Sequence, residues 1–200
     1  MNALYRFVRV LCIALVKIGF KVEVSGRCEL ENGVNVMLCC NHQSFWDMPI
    51  LIANSPYKIN FMGKKELFKN KLFTKVLRTL GVIPVNRGAA DLAAIKMSGE
   101  ALKSGVLGIF PEGTRRPLEK PEQAKSGAAM LALQSKAKIL PAAINYNGRI
   151  KLFGKVNLNF AEPIDSSEYL PQEQKKALPK TAIRNLSNDI SETIIKLWEK

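Results

Sequence analysis

Two hundred residues are ample for one packed domain and tight for two, and the 47% apolar fraction is ordinary for a globular chain. That argues against disorder and against a multi-span membrane protein. Thirty Lys and Arg against 17 Asp and Glu give a net charge of +13, which implies an anionic partner: nucleic acid, a lipid surface or a phosphorylated substrate.

Residues 4–20 open the chain with L-Y-R-F-V-R-V-L-C-I-A-L-V-K-I-G-F. At roughly 100° per residue, Leu4, Phe7, Val8, Leu11, Leu15 and Ile18 share one face of a helix, with Arg6, Arg9 and Lys17 opposite. The uncharged stretch Val10–Val16 is far short of the ~20 residues a span requires, and no small-residue cleavage site follows it. Residues 1–20 are therefore expected to form a membrane-interface helix with its basic face toward headgroups. Packing of this helix on the domain's own core is the alternative.

Residues 21–200 read as a single α/β domain. Apolar runs at 34–40, 58–62, 81–85, 106–110, 138–145 and 155–160 alternate with helical patterns at 46–54, 65–79, 89–103 and 126–137. Strands separated by helices of roughly 10–15 residues imply crossovers and a mainly parallel sheet flanked by helices. Residues 172–200 form a C-terminal helical region interrupted near Pro179. Cys39 and Cys40 lie side by side in the first of these strands, so their side chains should enter opposite faces of the sheet. Cys12 and Cys28 complete the set, which contains no C-x-x-C pair. The only His is not spaced with them as a zinc site requires, and no metal is expected. A reducing, cytoplasm-facing compartment fits such cysteines.

The polar chemistry gathers after strands, where ligands collect in a parallel sheet. N-H-Q-S-F-W-D, residues 41–47, holds His42 and Asp47. On one continuous helix these would lie about 140° apart. With His42 in the loop and Asp47 on the first helical turn, the carboxylate can fold back to the imidazole, and Pro49 favours that late helix start. F-P-E-G-T-R, residues 110–115, projects Glu112 and Arg115 from a sharp bend at which Gly113 allows close approach to the backbone. G-V-I-P-V-N-R delivers Arg87, and M-G-K-K delivers Lys64 and Lys65. Between Lys58 and Arg87 there are eight basic residues and one acid, Glu66.

N-H-x-S-x-x-D, G-x-I-x-V-x-R, F-P-E-G-T-R and I-L-P-A-A-I, in that order, resemble the glycerolipid acyltransferases, bacterial 1-acylglycerol-3-phosphate acyltransferases above all, over roughly residues 20–165. Arg116 departs from the Ser common after the Thr-Arg pair, and Ala142-Ala143 from a common Pro-Val or Pro-Ile pair. The resemblance implies that family's α/β fold, with His42 as base and Asp47 as its partner. It further implies that Glu112, Gly113, Thr114, Arg115 and Arg87 bind the acceptor's glycerol phosphate, with Lys64 or Lys65 nearby. The expected substrates are a lysophospholipid acceptor and an acyl thioester on coenzyme A or acyl carrier protein, with no cofactor.

The physical chemistry is consistent with this. An imidazole that takes the proton of an alcohol contributes ~10²–10⁴-fold, and a buried carboxylate holds its tautomer. The oxyanion needs N–H donors, and the turn after Asn41 is the candidate. A long acyl chain loses ~0.8 kcal/mol per CH₂ in water, so the enzyme is expected at the cytoplasmic membrane face, monotopic or peripheral. Three alternatives are an acyltransferase for glycerol 3-phosphate or another lysolipid, a non-catalytic peripheral membrane protein, and a nucleic-acid module. Against the last, the basic run lacks interleaved exposed aromatics, so no nucleic acid is expected.

Overall fold

Val36–Cys40 is buried along its whole length, which demands cover on both faces of its sheet. The computed structural model, which describes residues 3–28, 35–86, 91–171 and 177–200, supplies that cover as helical layers on either side. The strands are β1 (Phe20–Ser25), β2 (Val36–Cys40), β3 (Ile59–Lys64), β4 (Ile83–Val85), β5 (Val106–Ile109), β6 (Lys138–Asn145), β7 (Gly154–Phe160) and β8 (Ile164–Asp165). The helices are α1 (Ala3–Gly19), α2 (Asp47–Ala53), α3 (Lys71–Thr79), α4 (Leu92–Ser104), α5 (Ser126–Ser135) and α6 (Lys180–Trp198).

The sheet order is β1-β7-β6-β2-β5-β3-β4, with β8 also pairing β6. β6 pairs antiparallel with β7 and β8, and the other pairings are parallel. The expected mainly parallel mixed sheet is therefore present, and β2 lies at its centre. Alternate side chains of β2 feed separate cores. Leu38 and Cys40 pack with α1 and α2, whereas Met37 and Cys39 pack with α5 and α6. The two adjacent thiols thus enter opposite layers, and burial pushes Cys39 up to about 12 and Cys40 also well above its ordinary value. They are small core side chains, not nucleophiles.

Three elements differ from the sequence reading. β1 carries the alternation F-K-V-E-V but was not among the expected strands. It is an edge strand that pairs only with β7, and its outer positions are exposed. The expected helix 65–79 is split: Lys65–Lys69 form a 3₁₀ turn, Asn70 is extended (ψ 122°), and α3 starts at Lys71. Asn competes with the helical ladder through its side chain, so a break there is physically natural. Pro179 stands immediately before α6, where its missing N–H costs nothing.

Helix α1 does pack on the domain, but not through its most apolar face. Tyr5, Cys12 and Val16 are buried, and Arg9, assigned to the headgroup side by periodicity, donates to the Ser55 carbonyl at 2.8 Å. Leu4, Phe7, Leu11, Leu15 and Ile18 point away from the domain and stay exposed.

Candidate active site

The carboxyl end of β2 sets the site. Past Cys40 the side chain of Asn41 is buried and bridges to β6, donating to the Ile144 carbonyl at 2.9 Å and accepting from the Ile144 N–H at 2.8 Å. That pair pins the turn which follows. His42 lies in the loop and Asp47 opens α2, so the carboxylate reaches back: His42 Nδ1 is 2.7 Å from Asp47 Oδ2. Pro49 lies within the first turn of α2, where no intrahelical N–H is lost.

Asp47 is fully buried and wholly satisfied. Its Oδ2 also accepts from the N–H groups of Gln43 at 2.7 Å and Ser44 at 2.8 Å, and its Oδ1 accepts from the Tyr146 hydroxyl at 2.7 Å. A carboxylate held by four donors cannot rotate. Being an acceptor, it requires the proton on Nδ1 and leaves Nε2 with its lone pair. The imidazole lies flat on the Phe110 ring, centroids 3.9 Å apart at 12°, and Phe61 stacks behind Phe110 at 5.9 Å.

Glu112 is drawn inward rather than projecting: it is 4% exposed, and its Oε1 accepts the His42 backbone N–H at 3.2 Å. Its other oxygen, Oε2, has no hydrogen-bond partner among the described residues. Loss of water on burial, opposed by the His42 N–H and the Arg116 charge, raises its carboxyl to about 7. The folded protein therefore keeps a proton on Glu112 between pH 4.5 and about 7 that the unfolded chain releases. This stabilisation is complete below 4.5 and is lost as pH rises through 7. Glu112→Gln should therefore melt higher than the wild type at pH 8, by roughly 2–4 °C for about 1 kcal/mol after allowance for residual solvent contact. The gap should close by pH 4, which a pair of thermal melts will check.

One expected role is removed. The N–H groups of His42, Gln43 and Ser44 are all committed to carboxylates, so the turn after Asn41 does not supply free oxyanion donors there. Gly113 behaves as expected, with φ +74° and a position where a Cβ would sit 3.0 Å from Lys125 Nζ. Thr114 and Arg115 are exposed, and the Arg115 guanidinium lies 3.5 Å from the centroid of the exposed Phe45 ring. Lys64 and Lys65 leave the end of β3 exposed, with Lys64 near Glu66 at 3.5 Å. Arg87 lies outside the described residues. The contacts thus join His42, Asp47 and Glu112 in one network; Arg115 reaches the same loop through Phe45, while Lys64 and Lys65 stand apart as exposed cations. Arg116, the departure from the resemblance, donates its backbone N–H to the His42 carbonyl at 2.8 Å and pairs with Glu119 and Glu122 at 3.0 and 2.5 Å.

Tyr146 and Phe110 were missed as site residues. Tyr146 is 2% exposed, packs edge-on against Phe20, and follows a strand that reads as pure core. Its position just past the end of a strand beside β2 was the available signal. Tyr146→Phe keeps that packing but strips Asp47 Oδ1 of the only donor it has among the described residues. Expected are a stability loss of ~1–3 kcal/mol and a fall in turnover of roughly tenfold with the acceptor Michaelis constant unchanged, read by denaturant melts and steady-state kinetics.

Beside Phe110 opens an apolar cavity of about 390 Å³, walled by Met62, Val85, Ala94, Ile95, Ile109 and Leu131. An adjoining hollow of about 510 Å³ shares Met62, Phe110, Gly113 and Lys125 with it. The arrangement can therefore place an oriented imidazole, across the Phe110 ring, beside an apolar cavity, with exposed cations close by in sequence.

A sequence model described as Acyltransferase matches residues 21–145. The chain is 31% identical over 185 residues to a 1-acyl-sn-glycerol-3-phosphate acyltransferase of Bacillus subtilis, covering 88% of this chain and 91% of that one. It is 34% identical over 142 residues to the enzyme so named in Streptococcus pneumoniae, covering 67% of this chain but only 52% of that one. Among solved structures, the 1-acyl-sn-glycerophosphate (LPA) acyltransferase of Thermotoga maritima shares the fold, with a TM-score of 0.73 at 24% identity, over 98% of this chain and 80% of that one. With a family match across most of its length and the His42–Asp47 pair inside the matched segment, the chain belongs to the acyltransferase family.

Proposed function

We propose that this acyltransferase moves an acyl group from a thioester to the sn-2 hydroxyl of 1-acylglycerol 3-phosphate, giving phosphatidic acid. The observation that carries the reading is the 2.7 Å contact between His42 Nδ1 and Asp47, which makes Nε2 a general base. Nε2 takes the hydroxyl proton as the alcohol oxygen attacks the thioester carbonyl. The tetrahedral adduct then collapses, the C–S bond breaks, and the imidazolium returns its proton to the leaving thiolate. The nucleophile is the substrate's own hydroxyl, so no acyl-enzyme is needed.

The apolar cavity beside Phe110 suits an acyl chain. Arg115, with Thr114, Gly113, Glu112, Arg87 and one of Lys64 or Lys65, suits the glycerol phosphate. The donor is acyl-coenzyme A or acyl carrier protein, and no cofactor enters the reaction. Among the described residues no helix is long and apolar enough to cross a membrane. The exposed face of α1 (residues 1–20 being the proposed interface segment, 21–200 the acyltransferase domain) lies on the cytoplasmic bilayer surface, where the acceptor resides.

An acceptor panel tests the reading. Purified protein with acyl-coenzyme A or acyl carrier protein should acylate lysophosphatidate, and glycerol 3-phosphate or lysophosphatidylcholine far more slowly. Arg115→Ala should raise the apparent Michaelis constant for lysophosphatidate roughly 10- to 100-fold, the worth of a charge-assisted bond. Equal use of glycerol 3-phosphate would instead support the alternative acceptor.

A further inference from the structure

The turn between β6 and β7 exposes two large apolar side chains, Leu152 at 61% and Phe153 at 64%. Phe153 is held with φ +61°, a costly conformation for an aromatic residue. Here the backbone itself is fixed: the Phe153 N–H donates to the Gly19 carbonyl at 2.6 Å, and a Cβ on Gly19 would lie 3.6 Å from Leu152 Cδ1. The turn is thus continuous with the C-terminal end of α1, where Leu15 and Ile18 are also exposed. Lys21, Arg149, Lys151 and Lys155 line a shallow hollow of about 670 Å³ beside it. Lys155 pairs with Glu23 at 2.8 Å, whereas Lys21, Arg149 and Lys151 make no ion pair among the described residues.

The topology says where this patch faces. β6 runs parallel to β2 and ends at Asn145, β7 returns antiparallel from Gly154, and β1 starts at Phe20 opposite Gly154. The 146–153 turn and the end of α1 therefore lie on the sheet edge that carries His42, the turn within two strand spacings of β2, roughly 10 Å, and the end of α1 within three, roughly 14 Å. A helix lying alone on a bilayer leaves its domain free to roll about the helix axis. A second contact to one side of it removes that freedom.

We propose that the 146–153 turn is a second lipid-contacting element, which inserts Leu152 and Phe153 into an anionic bilayer while Lys21, Arg149 and Lys151 meet its headgroups. An apolar tip rimmed by uncompensated cations matches the layering of such a surface, apolar beneath and negative above. The contact turns the His42 edge toward the lipid. It rests on the reading of the chain as an enzyme of bilayer lipids and adds a contact which that reading does not contain.

The test is co-sedimentation of the full chain with phosphatidylglycerol–phosphatidylcholine vesicles. The double variant Leu152→Ser, Phe153→Asn suits it because Asn tolerates positive φ. Its vesicle partitioning should fall roughly tenfold, with turnover on a short-chain, monomeric acceptor unchanged. Lys21→Gln with Arg149→Gln and Lys151→Gln should lose the preference for phosphatidylglycerol over phosphatidylcholine alone. Phe153→Trp should add emission quenched by brominated lipid, beyond that of the wild type, and this arm does not depend on weakened binding. Wild-type partitioning by the double variant, with no added quenching at position 153, would overturn the proposal and leave the catalytic reading standing. A wild-type chain that neither binds vesicles nor acylates lysophosphatidate would overturn both. Loss of self-association instead of vesicle binding would overturn it in favour of a chain–chain interface.

Discussion

His42→Ala should lower turnover by on the order of 10²–10⁴-fold while the protein folds and still binds its acceptor. The imidazole is 13% exposed and its removal leaves the ring of Phe110 in place, so the lost stacking area is modest. The deletion leaves Asp47 with three of its four donors, the Gln43 and Ser44 N–H groups and the Tyr146 hydroxyl, so the turn keeps its shape. What disappears is the proton acceptor. A poorly acidic alcohol must then attack without a base, and the penalty falls on the chemical step. Steady-state kinetics beside a thermal melt check this: a melting temperature lowered by only a few degrees, the worth of one lost hydrogen bond to Asp47, with a collapsed rate is expected. A rate within a few fold of the wild type would mean that another group takes the proton.

Asp47→Asn should cost a similar factor in turnover, with the acceptor Michaelis constant nearly unchanged. The Asn oxygen can stay on the His42, Gln43 and Ser44 side, and its amide can donate to Tyr146, whose hydroxyl turns to accept. The geometry is then preserved and the negative charge alone is lost. Stabilisation of the imidazolium formed in the transition state goes with it. A combined His42→Ala, Asp47→Asn protein should be hardly slower than either single variant, because the two residues act as one unit. Multiplying losses would show instead that Asp47 acts on something other than His42.

How much of this was legible in the sequence depended on how local each constraint was. β6 falls on the residues expected, 138–145, because an uninterrupted apolar run has one solution in a doubly covered sheet. The His42–Asp47 contact was also legible, since both partners sit in one seven-residue segment and Pro49 limits where the helix can start. Asp47's fourth donor was not: Tyr146 lies 99 residues away, and only the β2–β6 pairing brings it near. β1 escaped notice because its outer side chains, among them Val24, are exposed and give no sign of a core. Glu112 was expected to project, but the tight turn at Gly113 folds it under the His42 loop, which charge and spacing do not encode. The α1 face was legible as amphipathic, yet its orientation was not, because Tyr5, Cys12 and Val16 outcompete a more apolar face for the domain.

General-base catalysis here turns on which nitrogen of one imidazole carries the proton. His42 is the only histidine of the chain, so protein grown with ring-¹⁵N histidine yields one imidazole spectrum and needs no assignment. In the neutral ring, Nδ1 should appear protonated and coupled to its hydrogen, and Nε2 should appear as the bare, pyridine-like nitrogen; Asp47→Asn should weaken that preference. A spectrum with the proton on Nε2 would leave no base facing the substrate and would contradict the mechanism.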